Sequence, residues 1–157
     1  MNYGRAFISG GAGFIGGHLV DRLLTRAEAA AVVVYDNFSS GQQWHLAPHR
    51  ADKRLRVIEG NINELPRLTE AMAGCDVVFH LAANPDIAKA VRQPDIDFWE
   101  GTYLTQNVLE AMRVNGVPCI FYTSGSGVYG ENPHVEFTEA YGPCLPISTY
   151  GLSLIHI

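Results

Sequence analysis

No disulfide framework can be drawn through this chain. Its three cysteines, Cys75, Cys119 and Cys144, are odd in number and far apart, so they read as small core or loop residues of a protein kept in a reducing compartment. No apolar run approaches the roughly 20 residues that a membrane-spanning helix needs, and no basic stretch followed by an apolar one opens the chain at Met1. Positive charge is scarce. Eleven lysines and arginines against 16 aspartates and glutamates leave a net charge of −5, which gives no footprint for nucleic acid or an anionic membrane. The one basic cluster, Arg50, Lys53, Arg54 and Arg56, reads as a solvated loop. Six histidines bring no metal-ligand constellation: His45 and His49 are four apart, but Pro48 between them spoils a shared helical face. Internal repeats and low-complexity segments are absent too. The expectation is a cytoplasmic protein with no metal, no nucleic-acid partner and no membrane partner.

What is present is an alternation of strand and helix. The 157 residues have room for one domain with a sizeable core, and 47% are hydrophobic against 17% charged, the balance of a globular protein. Strands are expected at 5–9, 31–35, 55–59, 76–81 and 117–122, the second a β-branched run suited to burial on both faces. Helices are expected at 14–26, at 64–73 with Asn63 as cap and Gly74 as stop, and from Pro94 to about Val114. The spacing of the last puts Phe98, Leu104, Val108, Leu109 and Met112 towards one side. Trp44 and Trp99 read as packing residues, His80 as a core residue, and 125–148 as loop. Such alternation implies an α/β fold: a doubly wound parallel sheet with helices on both faces and ligands beyond the carboxyl ends of the strands.

The first such end is the most informative. Ser9-Gly10-Gly11-Ala12-Gly13-Phe14-Ile15-Gly16 joins the first strand to the first helix, the context in which a glycine-rich turn cradles a phosphate. Gly10 and Gly11 allow a tight turn, Gly13 lets the backbone approach a pyrophosphate, and Gly16 lets the helix pack close to the strand. The helix N-terminus offers unpaired N–H groups and partial positive charge. Asp36 ends the second strand, about 20 residues on from Gly16, where a carboxylate can accept hydrogen bonds from the adenosine ribose. It would repel a 2′-phosphate, and no Arg or Lys follows it before Arg50, so NAD is expected over NADP. Turn-forming is the competing role for this aspartate. Asn61 and Ile62 can flank the adenine, and Leu81, Ala82 and Ala83 are small enough in sum for a dinucleotide to lie against their backbone, although packing explains each one singly.

These stretches, with SGGAGFIGGHLV (9–20), VVYDNFSSG (33–41), GNI (60–62), HLAAN (80–84), NVLEAM (107–112), YTSGSGVYGE (122–131) and PISTYG (146–151), resemble the extended short-chain dehydrogenases/reductases in their NAD-dependent epimerase/dehydratase branch, UDP-glucose 4-epimerases in particular. The resemblance implies a Rossmann-type domain with tightly held NAD, acting on a nucleotide-sugar by transient hydride transfer, and a homodimeric full-length parent. It assigns Gly10, Gly13, Phe14, Ile15 and Gly16 to the pyrophosphate, and Asp36, Asn37, Ser39 and Gly41 to the ribose. Asn61 and Ile62 go to the adenine, Leu81, Ala82 and Ala83 to the cofactor's wall, Asn107 to core organisation and Tyr150 to acid/base chemistry.

Two departures stand out. Free tyrosine titrates near 10, and the family lowers this with a lysine one helical turn on. Here that place is Leu154, and the chain's lysines are Lys53 and Lys89. The family's catalytic Ser or Thr falls at Gly125, flanked by Ser124 and Ser126, either of which could present a hydroxyl. The loop also lacks the acidic pair that dehydratases use to expel water. The expectation is an NAD-binding domain over 1–151, a non-native tail at 152–157, an absent C-terminal substrate domain and no turnover by the chain as given. The alternatives are an NAD-dependent sugar dehydrogenase/reductase and a non-catalytic, dinucleotide-sensing Rossmann protein.

Overall fold

The computed structural model describes residues 3–84, 86, 89, 92, 93, 95–131 and 136–156. They fall into two compact units: Met1–Ala82 with Gln106–Tyr122, and Ala83–Thr105 with Thr123–Ile157.

The first unit holds a sheet of five parallel strands in the order β3-β2-β1-β4-β5. They are β1 (Tyr3–Ser9), β2 (Ala29–Asp36), β3 (Leu55–Glu59), β4 (Val77–His80) and β5 (Cys119–Tyr122). β1 is flanked on both sides, which is why Ala6, Phe7, Ile8 and Ser9 are all fully buried. The chain steps outward from β1 to β2 to β3, then returns to β4 and β5 on the other side. Right-handed crossovers in opposite directions put their helices on opposite faces. Helix α1 (Phe14–Thr25) links β1 to β2, and its Val20, Leu23 and Leu24 pack with Ala6, Ile8, Val32 and Val34. Helices α2 (Leu65–Ala71) and α3 (Tyr103–Asn115) share the other face, where Asn115 Nδ2 donates to the Thr69 carbonyl at 2.9 Å. Alternation along the strands turns Phe7 and Tyr35 that way, with ring centroids 5.9 Å apart.

Several expectations need correction. Glu64, not Asn63, occupies the N-cap of α2, which sets Pro66 in the first turn, where its missing N–H costs no intrahelical bond. The helix expected after Pro94 lies partly outside the described residues. Its described part includes a π-helical turn, Phe98–Thr102, that contains Gly101 and runs into the regular helix at Tyr103. Leu104, Val108 and Met112 are buried as the spacing implied, but Phe98 and Leu109 are 50% and 41% exposed, and Ala111 takes the inward place. Trp44 and Trp99 are exposed rather than packed inside. Of the cysteines, Cys75 is buried and Cys119 exposed on β5. Arg50 and Lys53 are exposed, as a solvated loop requires; Arg56 is exposed but lies in β3 rather than in a loop, and Arg54 pairs with Asp52 at 2.6 Å.

In the second unit a 3₁₀ turn, Ser126–Tyr129, meets helix α4 (Thr149–His156). Tyr129 stacks on Phe137 with centroids 5.0 Å apart. Among the described residues no helix is long and apolar enough to cross a membrane, and no cluster of His, Cys, Asp and Glu could hold a metal ion.

Candidate functional site

The turn between β1 and α1 uses its glycines for different reasons. Gly10 has a φ of +74°, and a Cβ there would lie 2.7 Å from the Ala82 nitrogen. At Gly16 a Cβ would run into the Gly10 carbonyl oxygen and lie 2.6 Å from Gly11 Cα. These two are demanded by the chain itself. Gly13 is not: its φ of −72° and ψ of 176° suit any residue, and a Cβ there would meet only the Gly10 oxygen, at 3.2 Å. That oxygen would have to give by a few tenths of an ångström to admit the Cβ, a milder demand than at Gly10 or Gly16, and Gly13 stands at the mouth of α1. That mouth has no side-chain cap and no acid in its first turn. The first-turn N–H groups of a helix have no intrahelical acceptor, so the amides of Phe14, Ile15 and Gly16 stay available to a partner from outside the helix. The Phe14 and Ile15 side chains are exposed.

Asp36 is buried and doubly engaged. Its Oδ2 accepts the Ala12 N–H at 2.8 Å and its Oδ1 the Phe38 N–H at 2.9 Å. The turn-forming role weighed for it is therefore realised, together with a tie to the glycine turn. Each carboxylate oxygen keeps a second lone pair for a ribose hydroxyl. Gly41 packs on this carboxylate: a Cβ there would lie 2.8 Å from Oδ1. Asn37 shapes the same loop by accepting the Ser39 N–H at 3.0 Å, and both residues are exposed.

At the end of β3, Tyr35 Oη donates to the Asn61 carbonyl at 3.1 Å, and Asn107 Nδ2 donates to the Ile62 carbonyl at 3.1 Å. Asn107 thus holds the chain segment expected to flank adenine, the organising role the resemblance implied. At the end of β4 the Leu81 N–H donates to the Ser9 carbonyl at 3.0 Å, and the Ala82 backbone is what Gly10 packs against. His80 is a core residue as expected. Its Nδ1 lies 2.7 Å from Ser9 Oγ, and burial pushes its pKa down to about 4.

Ala83, Ser124, Ser126 and Tyr150 belong to the second unit. Ser148 caps α4 by accepting the Gly151 N–H at 3.0 Å. Gly151 is buried because the Gly127 backbone approaches it. Tyr150 lies over Gly125: a Cβ there would be 3.4 Å from Tyr150 Cε1, 3.6 Å from its Oη and 3.2 Å from Leu154 Cδ1. Ser124 and Ser126 are not fully buried, and Leu154 is buried one turn beyond Tyr150.

Three contributors escaped the sequence reading. Asp97, 2% exposed, accepts Thr149 Oγ1 at 2.7 Å and so anchors the start of α4. His45 and Gly17 act on the glycine turn from outside it. No local pattern announces these contacts, which link residues far apart in the chain.

The model of the NAD dependent epimerase/dehydratase family matches residues 6–157. The UDP-glucose 4-epimerase of Mycolicibacterium smegmatis is 35% identical over 150 residues, 94% of this chain and 47% of that protein. A UDP-N-acetylglucosamine 4-epimerase from Methanobrevibacter ruminantium, solved with UDP-N-acetylmuramic acid, superposes with a TM-score of 0.87 at 29% identity, covering 99% of this chain and 48% of that one. A dTDP-glucose 4,6-dehydratase from Streptomyces venezuelae, solved with NAD, gives 0.89 at 32% identity, covering 96% and 48%. The chain spans about half the length of these relatives.

Proposed function

The chain belongs to the NAD dependent epimerase/dehydratase family, and from that footing we propose that it is the cofactor-binding part of a nucleotide-sugar 4-epimerase. The observation that carries this reading is Gly13, the glycine of the turn whose backbone conformation any residue could adopt, at the mouth of an uncapped helix beside Asp36. A pyrophosphate fits the space that a Cβ at 13 would enter. The amides of Phe14, Ile15 and Gly16 hold it there. Asp36 takes the ribose hydroxyls, with Asn37, Ser39 and Gly41 forming the loop, and its charge selects NAD over NADP. Asn61 and Ile62 flank the adenine, and Leu81, Ala82 and Ala83 line the cofactor.

Bound NAD supplies a reversible hydride acceptor. Tyr150 Oη takes the proton of the sugar hydroxyl and later returns it, while Ser124 or Ser126 hydrogen-bonds that hydroxyl in place of a side chain at 125. Ser126 is the slightly better candidate, since it opens the 3₁₀ turn that packs on α4. Tyr150 lacks the cation that would favour its phenolate, because Leu154 stands where a lysine would serve. The chain as given therefore binds cofactor without turnover. Gly125-Ser126-Gly127 contains no acid, which disfavours loss of water and leaves epimerisation ahead of dehydration. A dinucleotide-sensing protein without catalysis is the alternative reading, favoured by Gly125 and Leu154 together.

Calorimetric titration with NAD and NADP, and an assay of UDP-sugar epimerisation, test the proposal. It expects saturable NAD binding, weaker NADP binding and no turnover. Absence of NAD binding would refute the cofactor assignment, equal NADP binding the role of Asp36, and turnover the need for a cation beside Tyr150.

A further inference from the structure

Gly17 is a glycine that the dinucleotide turn does not explain. It lies inside α1, where glycine is unfavourable relative to alanine. The space around it gives the reason: a Cβ on Gly17 would lie 2.9 Å from Cβ of His45 and 3.6 Å from the His45 carbonyl oxygen. His45 belongs to the 3₁₀ segment Gln43–His49, which runs along α1 and is pinned at its far end by His49 Nε2 against Asp21 Oδ1 at 2.8 Å. Seated over Gly17, the His45 ring brings Nδ1 to 2.6 Å from the Ala12 carbonyl oxygen.

Ala12 is fully buried, and its peptides are held from several sides. Its N–H donates to Asp36 Oδ2 at 2.8 Å. Its carbonyl accepts the Gln42 N–H at 2.9 Å as well as the contact from His45. The peptide joining Ala12 to Gly13 therefore has its oxygen fixed by the Gln42–His45 strap, while its N–H donates to the Gly10 carbonyl at 3.1 Å. That peptide leads directly into the first turn of α1, so its plane sets where the following amides aim.

We propose that His45 is a positioning residue for the anion-binding end of α1: by donating Nδ1–H to the Ala12 carbonyl, across a seat made by Gly17, it fixes the direction of the Phe14–Gly16 amides. This inference rests on the cofactor reading above. The contact demands a proton on Nδ1, since a bare nitrogen would set a lone pair against the carbonyl oxygen. Asparagine carries a donor nitrogen the same number of bonds from the backbone, and aspartate places only acceptors there. Both variants keep the shape of the contact while one keeps its chemistry.

The test titrates wild type, His45→Asn, His45→Asp and His45→Leu with ADP, which contains the pyrophosphate, and with adenosine, which does not. The Asn variant is expected to bind ADP within about threefold of wild type. The Asp and Leu variants should bind it about tenfold more weakly, the scale of one lost hydrogen bond, since the Ala12 carbonyl keeps the Gln42 N–H. Adenosine affinity should change little across the series. Equal losses for ADP and adenosine would reduce His45 to a fold-holding role, and unchanged ADP binding by the Leu variant would overturn the inference while leaving the cofactor reading intact. If wild type binds neither ADP nor NAD, the cofactor reading itself fails. Nitrogen NMR of the wild-type His45 ring at neutral pH decides the matter if the variants do not fold. An Nδ1–H tautomer supports the inference and an Nε2–H tautomer overturns it.

Discussion

The turn at Gly10–Gly16 and the turn at Gly125 are both rich in glycine, yet they differ in construction. Around Ala12 the backbone is over-determined: Asp36, Gln42 and His45 hold its two peptide groups, and Gly10 and Gly16 have no room for a Cβ. Around Gly125 the constraint is loose. Its φ of −151° suits any residue, and a Cβ would meet side chains only, at 3.2 Å or more. On the proposed function, the Gly10–Gly16 turn holds its backbone amides already aimed before a ligand arrives, which is how an anion site gains affinity without reorganising. The Gly125 turn presents side chains, and side chains can be exchanged. On the same proposal, the cofactor turn tolerates change less than the turn at Gly125.

Substitutions should expose this contrast. Gly10→Ala forces a Cβ against the Ala82 backbone at a positive φ and should cost about 3 kcal/mol of stability by urea unfolding. A loss under about 1 kcal/mol would show the turn to be as lax as Gly125. Asp36→Ala leaves the buried Ala12 N–H without its acceptor and should cost about 2 kcal/mol, with NAD affinity falling alongside. Stability loss without affinity loss would confine Asp36 to turn formation. His80 makes the same unit sensitive to acid. Its folded pKa of about 4 lies below the ordinary 6.5, so the unfolded chain binds the proton more readily. The stability is intact above pH 6.5 and declines as pH falls towards 4, by about 2 kcal/mol. Urea unfolding at pH 7 and pH 4.5 should show a smaller drop for His80→Asn than for wild type, and equal drops would contradict the assignment. Gly125→Ser should change stability by less than about 1 kcal/mol, the smallest effect of the four, and a larger loss would erase the distinction between the turns.

The same contrast explains what could be read from the sequence. The strands were legible because burial on both faces forces continuous apolar runs such as Val32-Val33-Val34, and the glycine turn because its requirements lie within about seven residues. Long-range contacts were not. Nothing near His45 announces a carbonyl 33 residues earlier, and nothing near Asp97 announces Thr149. Phe98 misled because helical spacing assigns a face only if the helix is regular, and it lies in the π-helical turn Phe98–Thr102, whereas Leu109 sits at the edge of the buried face of the regular helix α3. Gly17 passes for one more glycine beside the motif, although its position within α1 is itself the clue that something sits on it.

The central claim is that the mouth of α1 is kept clear for the pyrophosphate of NAD, and Gly13 tests it most directly. Gly13→Leu places its Cβ 3.2 Å from the Gly10 oxygen, a tight contact that a shift of a few tenths of an ångström relieves, and should leave the protein folded by circular dichroism. A calorimetric titration of this variant with NAD should give no binding where the wild-type chain saturates. Undiminished NAD binding by a folded Gly13→Leu protein would contradict the account.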